Sequence, residues 1–582
     1  MPQVVKTGKF LAFVFLYVTV FFLVYGIYDD TRDIAYRTAL LRGDFTGMPI
    51  SNLYLYFVGV AKPLSLLLNF LPKVSWVGCL LVTMHLFAVG VFGVVLSNLL
   101  KKKFCVTFGW RAFILVLVIF LLFSEALFYL SIACSSMMGA SAAVVCLFYV
   151  VPELANRNSK MVLRVISWFF LSLAVFIQNE VTLVALLSIF LFLHFCGGNL
   201  LRTITLWGGI VLVYGAVYLN IYFTGGSEQK NFLTNEAYLF TYYDTYFAKN
   251  ETGLSPTDSV KVECMKQWFV WDKQEFNPAF FRKITAAKPV NGVNATQLKL
   301  KLNLYAQGLR EGLFNRLPPT LWLNIFCLGV CIGTLFKSSQ RLWWFLTYKA
   351  LLVVFFSAVC IFLKFEYRLL HSLLAVDTLL GLVFVVGNLP ICKNMKSVTI
   401  KTVQVFFLLL LAGGSIWKHN YYKRINQEQI TAVAESKNLR QEIDSLFHHQ
   451  ILVPGLEATL PLVHNYPLQT ERATNNNIVL GYDAGYTTYY REFNEWLVKN
   501  CGNDNFNSFI RYLWHHRQQV VIIASEEKLS LWRRYLKIVY KKHIDFAKIT
   551  DSCYKAERQK TTNRKTLAYY RLSAFEEIPT KP

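Results

Sequence analysis

Two adjacent carboxylates, Asp29 and Asp30, follow the first apolar run of the chain. Repulsion between carboxylates this close favours proton uptake by one of them, which suits it to act as a general base. The same pair could hold a divalent cation such as Mg²⁺ or Mn²⁺, or accept hydrogen bonds from sugar hydroxyls. A plainer interpretation stays open, because acidic residues also stabilise the start of a helix and one is expected to begin near Thr31.

Other charged or polar residues lie inside apolar runs or at their ends, where hydrocarbon makes a charge costly. Each could line a cavity. Each also has a plainer role as a helix anchor, a turn residue or the partner in one interhelical hydrogen bond. These candidates are Arg32, Asp33, Lys62, Glu125, Glu180, Glu366, Arg368 and His371, with His85 and Asp377 in the same class.

The elements that carry these residues are apolar runs of about 18 to 22 residues, each long enough to cross a hydrocarbon core of roughly 30 Å. They recur between Phe10 and Trp417 in a chain of 582 residues, of which 55% are hydrophobic. No such run follows Lys418. We therefore predict a multi-span membrane region over 1–418 and a water-facing domain over 419–582.

Lysine and arginine accumulate in cytoplasmic loops, so their distribution predicts the orientation of the spans. If the apolar segments 53–72 and 76–98 both crossed the membrane, the triplet Lys101-Lys102-Lys103 would lie outside. Lys62 also sits in the middle of segment 53–72, where lipid makes it costly, so we predict an interfacial helix there. The resulting α-helical protein has the N-terminus inside, the C-terminus outside and eleven spans at about 10–28, 76–98, 110–130, 133–152, 163–178, 181–197, 204–223, 319–336, 342–363, 367–388 and 400–418.

This topology places the hydrophilic segments 29–75, 224–318 and 419–582 on the external side. The last of these alternates helical patterns with short strand patterns, which predicts a small α/β domain. The predicted strands lie near 477–481, 520–524 and 565–573. The formal net charge of +24 is explained by basic cytoplasmic loops, so we do not expect nucleic acid as a partner.

The order of features after the first span is similar to that of the membrane-embedded glycosyltransferases of the GT-C superfamily. Asp29-Asp30 is followed by a short helical stretch (32–42), a Gly-Asp-Phe-Thr-Gly turn (43–47) and the interfacial segment (53–72). In that superfamily an acidic pair lies in the first external loop between two juxtamembrane helices, and many members end in an extracytoplasmic domain. The segment from Asp29 to Trp76-Val-Gly further resembles bacterial surface-polysaccharide glucosyltransferases related to phage serotype-converting enzymes.

The resemblance implies a polyprenyl-phosphate-linked sugar as donor, presented from the outer leaflet, and a cell-surface glycan or a lipid as acceptor. Asp30, or its neighbour Asp29, would deprotonate the acceptor hydroxyl, which attacks the anomeric carbon with inversion while the lipid phosphate leaves. Cationic groups should stabilise the charge on that phosphate, and the candidates are Arg368, Lys62 and Arg32. The resemblance also implies a bacterial cytoplasmic membrane protein, surrounded by lipid and active on the external face.

Two other functions remain open. A polysaccharide polymerase or ligase of different fold would concentrate its catalytic residues in the large external loop over 224–318. A non-enzymatic glycolipid transporter or flippase would show internal repeats and interrupted helices in corresponding halves of the chain. The sequence shows no such repeat.

Overall fold

The structure of the protein is a computed structural model. It describes residues 16–17, 19–21, 23–29, 33–44, 49–50, 53, 57–104, 108–196, 200–224, 229, 254–266, 272, 274–286, 295–335, 339–362, 367–388, 397–455, 458, 462, 477–478, 491–503, 505–556 and 565–577. By its internal contacts the chain divides into two compact units, each treated separately below. The membrane unit comprises 1–31, 78–219 and 298–429, and the loop–tail unit comprises 32–77, 220–297 and 430–582.

Helices dominate both units, and strands occur in two small groups. In chain order the elements are β1 (Tyr28–Asp29), α1 (Asp33–Arg42), α2 (Ala61–Phe70), α3 (Trp76–Phe104), α4 (Phe108–Phe128), β2 (Tyr129–Leu130), α5 (Ile132–Val145), α6 (Arg157–Ile177), α7 (Asn179–Cys196), α8 (Leu200–Thr224), α9 (Pro256–Lys266), α10 (Pro278–Ala286), α11 (Ala295–Arg310), α12 (Pro318–Leu335), α13 (Ser339–Phe362), α14 (Tyr367–Asn388), α15 (Ser397–Leu446), β3 (Ile451–Pro454), β4 (Asn477–Ile478), α16 (Arg491–Cys501), α17 (Phe506–His515), β5 (Val520–Ala524), α18 (Glu526–Tyr535), β6 (Lys542–Ala556) and β7 (Lys565–Glu577).

Seven of the described helices are long and apolar enough to cross a membrane, so the chain is an integral membrane protein. They correspond to seven of the eleven predicted spans and lie at 76–101, 132–153, 157–177, 179–196, 201–220, 340–359 and 369–388. The predicted span at 110–130 is a shorter apolar helix, Ala112–Phe128, and the one at 319–336 is an arm of a pair bent by 91°. The predicted span at 10–28 lies partly outside the described residues, and the one at 400–418 is part of α15.

Helix α5 is the most deeply packed element of the membrane unit. All fourteen of its residues are buried, and most are small, which lets neighbouring helices approach closely. A Cβ on Gly139 would lie 2.2 Å from the end of the Met84 side chain, so this contact with α3 depends on a missing side chain. Helices α6, α8 and α13 instead expose large apolar side chains such as Phe169, Leu212 and Val353, as expected for surfaces in contact with lipid tails.

In the loop–tail unit, α1 and α2 pack against each other, and Ser65 Oγ donates to the carbonyl of Leu41 at 2.9 Å. Helix α2 is shorter than the interfacial helix predicted over 53–72, because Phe57, in a left-handed conformation with φ of 57°, lies in the turn that precedes it. Ten residues rise only about 15 Å, which is too short to cross a bilayer. Lys62 is exposed on this helix.

The C-terminal part of the loop–tail unit contains a five-stranded sheet of order β4-β3-β5-β7-β6. β4, β3 and β5 run parallel, whereas β7 and β6 are antiparallel. β5 is buried along its whole length, which explains its uninterrupted Val-Val-Ile-Ile-Ala sequence. The predictions near 520–524 and 565–573 fall on β5 and β7. Of the prediction near 477–481, residues 477–478 form β4 and the rest lies outside the described residues, while β3, β6, α16 and α17 were not predicted.

The large loop contributes α9 and α10 to the same unit, where α9 packs beside α18 and α10 is joined to α9 by the ion pair of Lys283 with Asp258. Arg534 on α18 forms a two-pronged ion pair with Glu263 on α9, one arm of which measures 2.9 Å. Between the two loop helices lies Asp272, which is fully buried and accepts hydrogen bonds from Tyr535 and Tyr540. Segment 254–286 is therefore part of the fold that surrounds the C-terminal sheet.

Candidate functional site

The acidic pair begins at the end of β1, which pairs in parallel with β2. Tyr28 lies opposite Tyr129, and Asp29 lies opposite Leu130. Because β2 connects the end of α4 to the start of α5, the backbone of Asp29 is held at the junction of these two helices. The side chain of Asp29, and Asp30 with Arg32, lie outside the described residues.

Aromatic rings join this strand to α15. The Tyr28 ring lies 5.2 Å from that of Phe128, which stacks 4.7 Å from Tyr422 on α15. The hydroxyl of Tyr28 donates to Asn426 Oδ1, one turn further along the same helix. β1, the end of α4 and the middle of α15 thus form one packed group.

A buried polar chain lies within this group. Lys418 Nζ donates to Ser124 Oγ at 3.2 Å, and Ser124 Oγ lies 2.9 Å from Tyr422 Oη. The Tyr422 hydroxyl donates to Glu125 Oε2 at 2.9 Å. Since a phenol has one proton to give, Ser124 donates to Tyr422, and all three hydrogen bonds run in one direction, from the ammonium to the carboxylate. Glu125 is 2% exposed and Lys418 is 0% exposed.

Lys418 is the least compensated charge in the chain of bonds. Its ammonium contacts the Ser124 hydroxyl and faces the Tyr422 ring at 5.8 Å, but no described carboxylate lies within 4.0 Å of it. Burying a charge costs several kcal/mol unless an opposite charge or several hydrogen bonds compensate it. Lys418 is therefore a buried cation held by one hydroxyl and one aromatic ring, with Glu125 at the other end of the chain of bonds.

Two buried histidines extend the polar group into α3 and α14. His85 Nε2 lies 3.1 Å from Ser135 Oγ on α5, and His371 is 1% exposed within electrostatic reach of Lys418 and His85. In the described part of the chain, His85 Nδ1 and His371 Nε2 have no hydrogen-bond partner, nor do the hydroxyls of Ser136 and Ser372. Buried polar atoms of this kind normally contact water or a ligand.

Asp377, the deepest acidic candidate, has a different environment. Its Oδ2 accepts from Lys349 at 2.6 Å and from Asn324 at 2.7 Å, and its Oδ1 accepts from Tyr348 at 2.7 Å. Thr378 adds a further contact with Asn324. Both oxygens of Asp377 are thus occupied by groups on α12 and α13, so the cluster joins three helices rather than offering a free ligand site.

The remaining candidates are dispersed. Glu180 lies in the first turn of α7, where its N–H donates to Asn179 Oδ1, a position that favours an acid at any helix start. Arg368 lies in the first turn of α14, but its side chain and all of Glu366 fall outside the described residues. Asp33 begins α1, and Lys62 lies on α2, in the loop–tail unit.

The structure thus brings together Glu125 and His371 from the sequence candidates, with His85 beside His371. Sequence reasoning missed Lys418 as a site residue, together with Ser124 and Tyr422. The signal was present: Lys418, Tyr422 and Asn426 recur at every fourth position and must share one helix face. Among the described residues, no group of three or more histidine, cysteine, aspartate or glutamate side chains could hold a metal ion.

Comparison with known proteins finds similarity to solved structures but to no family model or curated protein. Among solved structures, the chain is similar to ArnT from Cupriavidus metallidurans, both in its crystal structure bound to undecaprenyl phosphate and in the apo state. Each alignment has 13% sequence identity and a TM-score of 0.37, and covers 97% of this chain and 98% of ArnT.

Proposed function

We propose that the protein is an inverting membrane glycosyltransferase, which moves a sugar from a polyprenyl-phosphate donor to a cell-surface glycan or another extracytoplasmic acceptor. One observation carries the proposal: a fully buried ammonium, Lys418, lies in the packed group that holds the strand ending at Asp29, and no carboxylate among the described residues forms an ion pair with it. A base and an anion site near each other are what transfer from a sugar phosphate requires.

In the proposed reaction, Asp30 or Asp29 takes the proton of the acceptor hydroxyl. The resulting nucleophilic oxygen forms a bond to the anomeric carbon on the face opposite the donor phosphate. The bond between that carbon and the phosphate oxygen breaks, and the electron pair leaves with the polyprenyl phosphate. The acceptor proton remains on the aspartate until solvent removes it.

Lys418 is proposed to stabilise the negative charge that develops on the departing phosphate. A cation already desolvated inside the protein interacts with such a charge more strongly than one in water. Arg368, Lys62 and Arg32 remain further candidates for phosphate binding. Their guanidinium and ammonium groups have suitable chemistry, and their sequence positions fall at helix ends or in the first loop.

Glu125 and His371 are proposed to contact sugar hydroxyls. The Glu125 carboxylate accepts a hydrogen bond from Tyr422 at 2.9 Å, and His371 Nε2 has no partner among the described residues. Carboxylates and imidazoles both bind hydroxyl groups well. A divalent cation such as Mg²⁺ or Mn²⁺ would have to be held by Asp29 and Asp30, and it stays a prediction.

The site is proposed to face the exterior of a bacterial cytoplasmic membrane. The distribution of basic residues supports this orientation, since Lys101 to Lys103 lie in the last turn of α3 and Arg157, Lys160 and Arg164 lie in the first turns of α6. The donor would enter from the surrounding lipid, with its sugar at the membrane surface.

The proposal is tested with the purified full-length chain in lipid nanodiscs and a panel of radiolabelled polyprenyl-phosphate sugars. We expect one or more donors to yield free polyprenyl phosphate together with labelled acceptor. Movement of intact donor between leaflets of a proteoliposome, without cleavage of the sugar–phosphate bond, would instead support a transporter. A Glu495→Gln variant, which alters only an exposed ion pair on α16, serves as a control and should retain wild-type activity.

A further inference from the structure

The acidic pair follows a strand that is too short to hold itself in place. β1 contains two residues, and its partner β2 also contains two. Such a ladder has few hydrogen bonds and is weak without support from neighbouring elements. The position of β1 must therefore be fixed by side-chain contacts.

Tyr28 provides these contacts immediately before Asp29. Its side chain is buried, its ring packs 5.2 Å from Phe128, and its hydroxyl donates to Asn426 Oδ1 on α15. The last bond joins positions 398 residues apart in the chain. It ties the strand to the helix that also carries Lys418 and Tyr422.

The positions of three residues on α15 connect the Tyr28–Asn426 hydrogen bond with Lys418. Lys418, Tyr422 and Asn426 lie at successive fourth positions, so all three lie along one face of the helix. A rotation or shift of α15 would move the Lys418 ammonium and the Tyr28 anchor together. One helix therefore contacts both the strand that ends at Asp29 and the buried polar chain.

We propose that Asn426 is a positioning residue, which acts through Tyr28 to fix the strand that ends at Asp29 relative to Lys418. This inference rests on the proposed glycosyltransferase function. In this arrangement Asn426 acts through Tyr28 and is not itself a catalytic residue. Its effect falls on the geometry of the attacking oxygen and the departing phosphate, where a displacement of about 1 Å can cost roughly 10²-fold in rate.

Substitutions at Asn426 show whether this residue acts as a hydrogen-bond acceptor for the Tyr28 hydroxyl or only fills space. Asn426→Leu removes the acceptor, and we expect kcat to fall by roughly 10²-fold while KM for the donor changes little. Asn426→Asp keeps a carboxyl oxygen at the same position, and we expect it to retain most of the wild-type kcat. Tyr28→Phe, which removes only the hydroxyl, should reproduce the effect of Asn426→Leu.

Tyr25, which lies three residues before Tyr28, provides a matched control. Tyr25 Oη lies 2.6 Å from His419 Nδ1, a contact between the same N-terminal segment and the same helix. Tyr25→Phe removes this hydrogen bond but leaves the Tyr28 anchor intact. We expect it to lower the thermal midpoint about as much as Tyr28→Phe does, and to leave kcat within about twofold of wild type.

The outcomes distinguish the inference from the function on which it rests. If Asp29→Asn and Asp30→Asn abolish transfer while folded Asn426→Leu and Tyr28→Phe both keep full kcat, the positioning role is overturned and the glycosyltransferase stands. If the aspartate variants also keep full activity, the proposed function itself fails. If Tyr25→Phe lowers kcat as strongly as Tyr28→Phe, the effect is general destabilisation and the inference is again overturned.

Discussion

Replacing Asp272 with asparagine should remove a pH dependence from the packing of α9 beside α18. Burial raises the pKa of this carboxyl from 3.8 to about 6, although the hydroxyls of Tyr540 and Tyr535 oppose the shift. The nearby Glu275, which pairs with Lys261, adds a smaller increase through charge repulsion. The docked segment therefore binds a proton more tightly than the undocked segment does.

The sign and the size of the effect follow from this difference. Because the pKa is raised in the folded state, the stabilisation is fully present below the unfolded pKa near 3.8 and is lost as the pH rises through about 6. For a single group with these two pKa values, raising the pH from 5 to 7.5 makes docking less favourable by about 1.4 kcal/mol. The equilibrium constant for opening then increases about tenfold.

Hydrogen exchange of the intact protein in nanodiscs measures this equilibrium. After correction for the intrinsic rate, amide protection in α9 and α10 should fall about tenfold from pH 5 to pH 7.5 in the wild type and stay nearly constant in Asp272→Asn. Tyr540→Phe removes a donor that favours the ionised form, so its midpoint should move to higher pH. Glu263→Gln, which breaks the exposed ion pair with Arg534, should lower protection slightly at every pH and keep the midpoint. A tenfold dependence that persists in Asp272→Asn would refute the reasoning.

Three further predictions concern the membrane unit. Lys418→Met should reduce kcat by at least about 10²-fold in protein that remains folded, because the proposed phosphate-binding cation is removed; a folded variant that keeps full kcat would contradict the proposed role. Lys349→Met should lower the unfolding free energy by about 3–5 kcal/mol, because it leaves the Asp377 carboxylate buried without its cation. The double variant Lys349→Met/Asp377→Asn should recover part of that loss, as measured in a detergent denaturation series. Tyr422→Phe breaks the bond to Glu125 and should weaken donor binding, seen as a higher KM, more than it changes the thermal midpoint.

Local sequence patterns predicted the features that depend on neighbouring residues. Long apolar runs predicted seven helices of membrane-spanning length, because hydrocarbon requires about twenty apolar residues in a continuous helix. Glu125 and His371 stood out because charged or polar groups in such runs are costly, and the structure places both in the buried polar group. A short uninterrupted apolar run likewise located β5, and alternating residues located β7.

The features that the sequence did not predict depend on contacts between distant segments. Lys418 ends an apolar run and was therefore taken as a boundary, but α15 continues as one helix to Leu446 and buries this residue against α4. No local pattern indicates that Asn426 meets Tyr28, or that Asp272 of the large loop meets Tyr535 of the C-terminal part. Helix α17 could have been found, because Phe506, Phe509, Ile510 and Leu513 follow the helical period.

The most direct test of the account is the initial rate of polyprenyl phosphate release from a lipid-linked sugar donor, compared between the wild type and the Asp29→Asn/Asp30→Asn double variant. We expect release by the wild type in proportion to sugar transferred, and no release by the double variant when its thermal midpoint matches that of the wild type. Undiminished release by the double variant would show that the acidic pair after β1 does not perform the chemistry.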